Sequence, residues 1–154
     1  VPELGPGTLT ALLGKTAAVA VENTRRALTA TALAVEREAK INAGAGGTHK
    51  YGTPTPAHPG GPPALISGTL RRSVSHTPIK PILGGFEIRV GPAGGLFPPY
   101  GKKRRTPAGR YGAYLETGLR NGATYPWLLP AFRKVAPQVR GIAFEYFKGP
   151  WPRA

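Results

Sequence analysis

The sequence contains no cysteine, no methionine and no aspartate, and its seven acidic residues are all glutamates. Without cysteine there is no disulfide framework and no thiolate nucleophile or metal ligand. Without aspartate, a two-metal phosphoryl-transfer centre would have to be built from glutamates alone, an unusual donor set. No run of about eighteen apolar residues occurs, which argues against a membrane-spanning helix. Lys15 and Glu22 interrupt the N-terminal stretch, so it lacks the uninterrupted apolar core of a signal peptide. The resulting expectation is a protein of cytosolic origin, with the initiator methionine removed ahead of Val1.

What is abundant is positive charge and loop-forming residues. Twenty-one Lys and Arg face seven Glu, a net charge of +14. Such a balance predicts attraction to polyanions, whether nucleic acid, an anionic surface or an acidic protein face, and says nothing of fold. The 22 glycines and 18 prolines exceed a quarter of the chain, but they cluster between patterned segments. With 40% hydrophobic residues in 154, the composition predicts a single domain with a modest core and long Gly/Pro-rich loops.

The first patterned segment, from about Thr8 to Asn42, is rich in Ala and Leu and predicts a helix. At that length it outreaches a domain of this size unless it breaks, near Gly14 or Asn23-Thr24, or packs on a neighbouring subunit. Residues 43–63 are an aperiodic Gly/Pro-rich arm, expected either to be mobile or to order against another subunit. A first strand is expected through Leu70, Val74 and Ile79, with Arg71 and Arg72 flanking it and at least one of them paired to a glutamate. Phe86, Ile88 and Val90 alternate with Glu87 and Arg89, which predicts a half-buried strand, and Gly84-Gly85 supplies the turn before it.

Residues 91–110 form a second loop carrying the basic tetrad Lys102, Lys103, Arg104 and Arg105. A short helix closed by Gly118 in a left-handed cap follows. A C-terminal amphipathic helix starts at Pro130, with a kink at Pro137. The fold class is therefore α+β: a long N-terminal helix, a small antiparallel β-sheet, a short helix and a kinked C-terminal helix. The expected core is Leu70, Val74, Phe86, Ile88, Val90, Tyr114, Leu115, Phe132, Val135, Val139 and Ile142.

Nothing in the pattern points to catalysis. No spacing argument joins Glu87 to Glu116 as a carboxylate pair. The three histidines, His49, His58 and His76, fall in no metal-binding pattern, and the glycines form neither a Walker nor a dinucleotide motif. Ser67, Ser73 and Ser75 have no nucleophile elbow. No enzyme activity, catalytic residue, metal or cofactor is expected. The basic residues Arg71, Arg72 and Lys102 to Arg105 are instead candidates for contact with DNA or another polyanion, non-specific and salt-dependent.

Three stretches taken in order resemble one family. "LISGTLRRSV" resembles the TG-x-L-R-x-S element of the head–tail joining and tail-completion proteins of long-tailed bacteriophages. "YGAYLETG" resembles their Y-A-x-Y-V-E-x-G element, and "YPWLLPAFRKV" their P-x-F-L-x-P-A element. The likeness runs from about Leu9 to Phe147. Ser67 stands where the family usually has threonine, and 96–110 reads as an insertion. The resemblance implies a structural virion protein of the neck, assembled in the host cytoplasm as a homo-oligomeric, usually hexameric, ring around the DNA channel. Its neighbours would be connector or stopper, terminator and tail-tube proteins. Tyr114, Glu116, Tyr125 and Trp127 would then lie at the subunit interface, with Glu116 holding an arginine within the subunit or across the ring. The alternatives are a tail-terminator ring capping the tube and a free basic nucleic-acid-binding module.

Overall fold

The computed structural model describes residues 6–100 and 106–151. Its architecture is the expected α+β arrangement, built on one helix. Helix α1, Pro6–Asn42, is continuous for 37 residues, about 55 Å at 1.5 Å per residue. It breaks neither at Gly14 nor at Asn23-Thr24, and it starts before the Thr8 cap that the sequence suggests. Thr16, Thr24, Thr29 and Thr31 each return their hydroxyl to the carbonyl four residues back, so these β-branched residues cost the helix no unpaired polar group.

Only the C-terminal half of α1 is packed. Ala27, Ala32, Val35 and Ala39 are buried, followed by Ala43 just past its end. Small side chains let α4 (Leu128–Val135) and α5 (Val139–Phe147) approach closely, and both lie along α1. Between them Ala136–Gln138 forms a single 3-10 turn containing Pro137, so the helix is interrupted where the proline lacks an N–H. The expected C-terminal stripe is only partly inward. Ala131 and Val135 are buried, whereas Phe132 is 57% exposed and Val139 is exposed. Aligned on alanine-rich α1, the small Ala131 fits the seam where Phe132 would not.

The expected first strand is corrected over Thr69–Ser73, which is one helical turn, α2. Thr69, Leu70, Ser73 and Val74 are all buried while Arg71 and Arg72 are exposed. That spacing fits a helical turn; in a strand, neighbours such as Thr69 and Leu70 would face opposite sides. Gly68, at φ 70°, supplies the left-handed entry, and Arg72 N–H reaches its carbonyl at 2.9 Å.

The sheet is a single long hairpin with one irregularity. Strand β1 (Val74–His76) pairs antiparallel with β4 (Val90–Pro92), and β2 (Lys80–Ile82) with β3 (Gly85–Glu87). The register shifts by one residue between the two ladders, and Thr77 bridges the gap by bonding Arg89 through both its N–H and its hydroxyl. The turn is Leu83-Gly84, with Gly84 at φ 80°. Phe86, Ile88 and Val90 are half-buried as expected, although the strand they suggested is interrupted at Ile88-Arg89.

The Gly/Pro-rich arm folds back on its own subunit. Ala45 pairs with Ala64 and Thr48 with Leu65, Gly60 N–H reaches Thr124 O at 2.8 Å, and Ala57 is buried. Gly46 is required there, because a Cβ would lie 2.2 Å from Pro62 O. Within the subunit the arm is an Ω-like loop tied to the body of the domain.

Candidate functional site

Two features organise the end of the molecule where α1 terminates: a glutamate clasp and an aromatic cleft. The clasp answers what a lone acid does among the tyrosines of α3, Ala108–Thr117. Glu116 Oε2 accepts the backbone N–H groups of Trp127 at 2.9 Å and Leu128 at 3.0 Å, and Oε1 accepts that of Leu129 at 2.9 Å. These are the N-terminal donors of α4, which have no intrahelical acceptor. The next residue in the first turn is Pro130, which carries no N–H. One carboxylate and one proline therefore account for the whole N-terminus of α4, and the negative charge sits at the positive end of its dipole. Among the described residues no arginine of the same subunit pairs with Glu116, whose carboxylate caps a helix instead.

Trp127 completes the clasp. Its indole is 1% exposed, its Nε1–H donates to Gly112 O at 3.0 Å, and its own carbonyl accepts from Asn42 Nδ2 at 3.0 Å. A Cβ on Gly112 would lie 2.8 Å from Leu70 Cδ1 and 3.3 Å from Trp127 Cζ2, so only glycine lets α3 meet α2 and the indole. The buried cluster of Ala39, Ala43, Leu70, Val74, Trp127 and Ala131 draws on two of the resembling motifs, and the third packs against it through the half-buried Tyr111 and Leu115. After α3 the chain leaves through Gly118, at φ 133° and ψ 135°; glycine is needed, although the cap is not the left-handed helical one expected.

The cleft lies beside the clasp, with a volume of about 530 Å³. Tyr51, from the Gly/Pro-rich arm, stacks on Tyr100 with ring centroids 4.1 Å apart. Tyr111, Leu115, Leu119 and Tyr125 also line it. No lysine, arginine or glutamate lines it among the described residues. Burial pushes the Tyr111 phenol up to about 12, with nearby Tyr100 adding to the effect and a backbone bond from Leu70 and the Arg72 charge opposing it.

The residues singled out in sequence fall in different places. Tyr125 and Trp127 are buried within the subunit, and Glu116 is half-buried. Tyr114 is exposed, under the Arg110 guanidinium, whose Nε donates to its hydroxyl at 2.7 Å. Of the expected core, Tyr114, Phe132 and Val139 are exposed. Arg71 and Arg72 stand exposed on α2, and among the described residues neither is ion-paired to a glutamate. The tetrad Lys102, Lys103, Arg104 and Arg105 lies outside the described residues.

Every described glutamate has a structural partner. Glu22 pairs with Arg26, Glu38 with Lys134, Glu87 with Arg89, Glu145 with Lys148, and Glu116 caps α4. Glu36 joins Lys40 and, at 2.7 Å, His76, tying the hairpin's base to α1. The Lys40 hydrogen bond holds the Glu36 carboxyl below its usual range against the opposing effect of burial, and the His76 bond helps. No group of three or more His or Glu side chains that would suit a metal occurs among the described residues. No described helix is long and apolar enough to cross a membrane.

Sequence reasoning missed Gly112, Asn42 and the Tyr51–Tyr100 stack. A glycine inside a ten-residue helix was a usable signal, since it costs helix stability and asks for a packing reason. Asn42 and the stack carried none, because their partners are 85 and 49 positions away. Comparison with protein-family models, with curated proteins and with solved structures finds no match to this chain.

Proposed function

We propose that the protein is a structural subunit of a bacteriophage neck, a head–tail joining or tail-completion protein that assembles as a ring around the DNA channel. The observation that carries the assembly part is α1. Its N-terminal half, ahead of the buried Ala27, exposes Leu9, Leu13 and Val21. An apolar helix half with so little packing in its own subunit suits a neighbour's surface. The place in a virion rests on the three ordered motifs. Exposed Arg71 and Arg72 and the net charge of +14 suit a passage for DNA.

Locating the chain in purified particles by electron microscopy tests the reading. The expected result is density at the neck, and particles made without the protein should separate into filled heads and unattached tails. A chain that is absent from particles and binds DNA with an affinity falling steeply between low and moderate salt would be a free nucleic-acid-binding module instead.

A further inference from the structure

The aromatic cleft has an open ring at its mouth. Tyr51 is 61% exposed although it is stacked on Tyr100 with an interplanar angle of 19°. One face of its ring meets Tyr100, and at that exposure the other face is open to water. A flat aromatic face of this kind is a platform for a second flat, conjugated group. Deeper in, Tyr111 and Tyr125 add their rings and Asn121 adds a side-chain amide.

Cations stand at the rim. Lys50 lies between the lining residues His49 and Tyr51, and Arg120 between Leu119 and Asn121, and both are exposed. The Arg72 guanidinium reaches the lining at Gly68: its Nη1 lies 3.7 Å from the position a Cβ on Gly68 would take. Among the described residues none of these three cations is ion-paired with a glutamate. Glu116, next to the lining Leu115, directs its carboxylate to the N–H groups of α4.

We propose that the cleft binds single-stranded nucleic acid, with a base stacked on Tyr51 and the flanking phosphates on Lys50, Arg72 and Arg120. Open ring faces and uncompensated cations together select this occupant. An apolar protein surface would leave the cations without counter-charge, and an acidic one would leave the Tyr51 ring face wet. A duplex offers phosphates, but its bases are stacked on one another and cannot reach Tyr51 unless they are extruded. A second copy of the chain carries +14, and every described glutamate already has a partner within its subunit, so it is repelled. At about 530 Å³ the cleft is of small-ligand size and has room for an unstacked base.

The site is complete in one subunit, so the inference rests neither on the ring nor on its place in a virion. The probe is a fluorescein-labelled single strand of about twelve deoxythymidines, within the span such sites cover, added to the full chain and followed by anisotropy. At moderate salt the strand should bind at least about tenfold more tightly than a duplex of the same length, and Tyr51→Ala should weaken it about tenfold. Tyr51→Phe keeps the ring and should bind as wild type. Tyr51 is exposed, so circular dichroism should be unchanged in both variants. Lys50→Ala and Arg72→Ala should each flatten the slope of log affinity against log salt by about 0.7. If Tyr51→Ala binds as wild type, or the duplex is held as tightly as the strand, binding is surface charge alone and the cleft is not the site. Displacement of the strand by an equal nucleotide concentration of thymidine monophosphate would make this a mononucleotide site and overturn the strand assignment. Equal competition by poly-glutamate of matching charge would overturn it in favour of an acidic protein. Failure of strand binding leaves the neck reading standing, and absence of the chain from particles leaves the cleft assignment standing.

Discussion

The two ends of α1 are made of the same kind of sequence and meet opposite fates. Toward Asn42, alanines and Val35 are sealed under α4 and beside the Trp127 clasp. Toward Pro6, leucines, valine and alanines of equal helix propensity face outward. Local propensity makes both halves helical, but burial depends on what the rest of the chain brings alongside. The closed end is saturated: Glu116 has three donors, the indole has its carbonyl, and a missing Cβ is filled by neighbours. The open end retains the apolar surface. Stability should therefore concentrate at one end and capacity for association at the other.

The largest effect expected is at the indole. Trp127→Ala removes a buried ring and leaves a cavity, and should cost about 3–5 kcal/mol in urea unfolding; a loss below 1 kcal/mol would mean the closed end is not the stabilising half. Next, Glu116→Ala strips the α4 cap and should cost about 2 kcal/mol. Glu116→Gln keeps one acceptor oxygen but turns an amide toward backbone donors, so it should fall between wild type and alanine. An equal loss for both variants would show that charge, rather than acceptor geometry, carries the cap.

Tyr111 gives the comparison a pH dependence. Its phenol is raised to about 12 in the folded chain and is close to 10 when unfolded. Between those values the folded state holds a proton that the unfolded state has lost, so stability falls as pH rises through that window. Tyr111→Phe should flatten this alkaline decline, measured as midpoint denaturant concentration against pH; an unchanged slope would mean that its environment is not the buried one described.

The smallest effect belongs to the open end. Leu13→Ser should change the stability of the monomer by less than about 0.5 kcal/mol, because its side chain has nothing to leave. Amide exchange should likewise be faster over residues 7–20 than over 27–42. Slow exchange in the first segment at low concentration would show an intrasubunit partner and abolish the contrast.

Much of this was legible in advance where a local pattern had one physical solution. Alanine-rich sequence made α1, Pro137 broke the C-terminal helix, and Gly84 turned the hairpin. Thr69–Ser73 reads equally as strand or helical turn, because five residues show too little periodicity to separate the two. Phe132 was placed inside because hydrophobicity ranks it above Ala131, whereas the alanine face of α1 selects by size. Glu116 was expected to seek a guanidinium, since a scarce acid in a basic chain suggests a charge partner. Its true partners are backbone N–H groups, which every residue but proline carries and no sequence pattern marks.

By itself the sequence determined the element types, the breaks and the charge, because propensity, proline chemistry and ionisation act over a few residues. The tertiary structure alone decided that α1 is one rod packed for half its length, that the arm closes on itself, and that Glu116 caps a helix eleven residues on. Those outcomes depend on which surfaces meet, and a meeting between Asn42 and Trp127 is fixed by the packing of helices distant in the chain rather than by either neighbourhood.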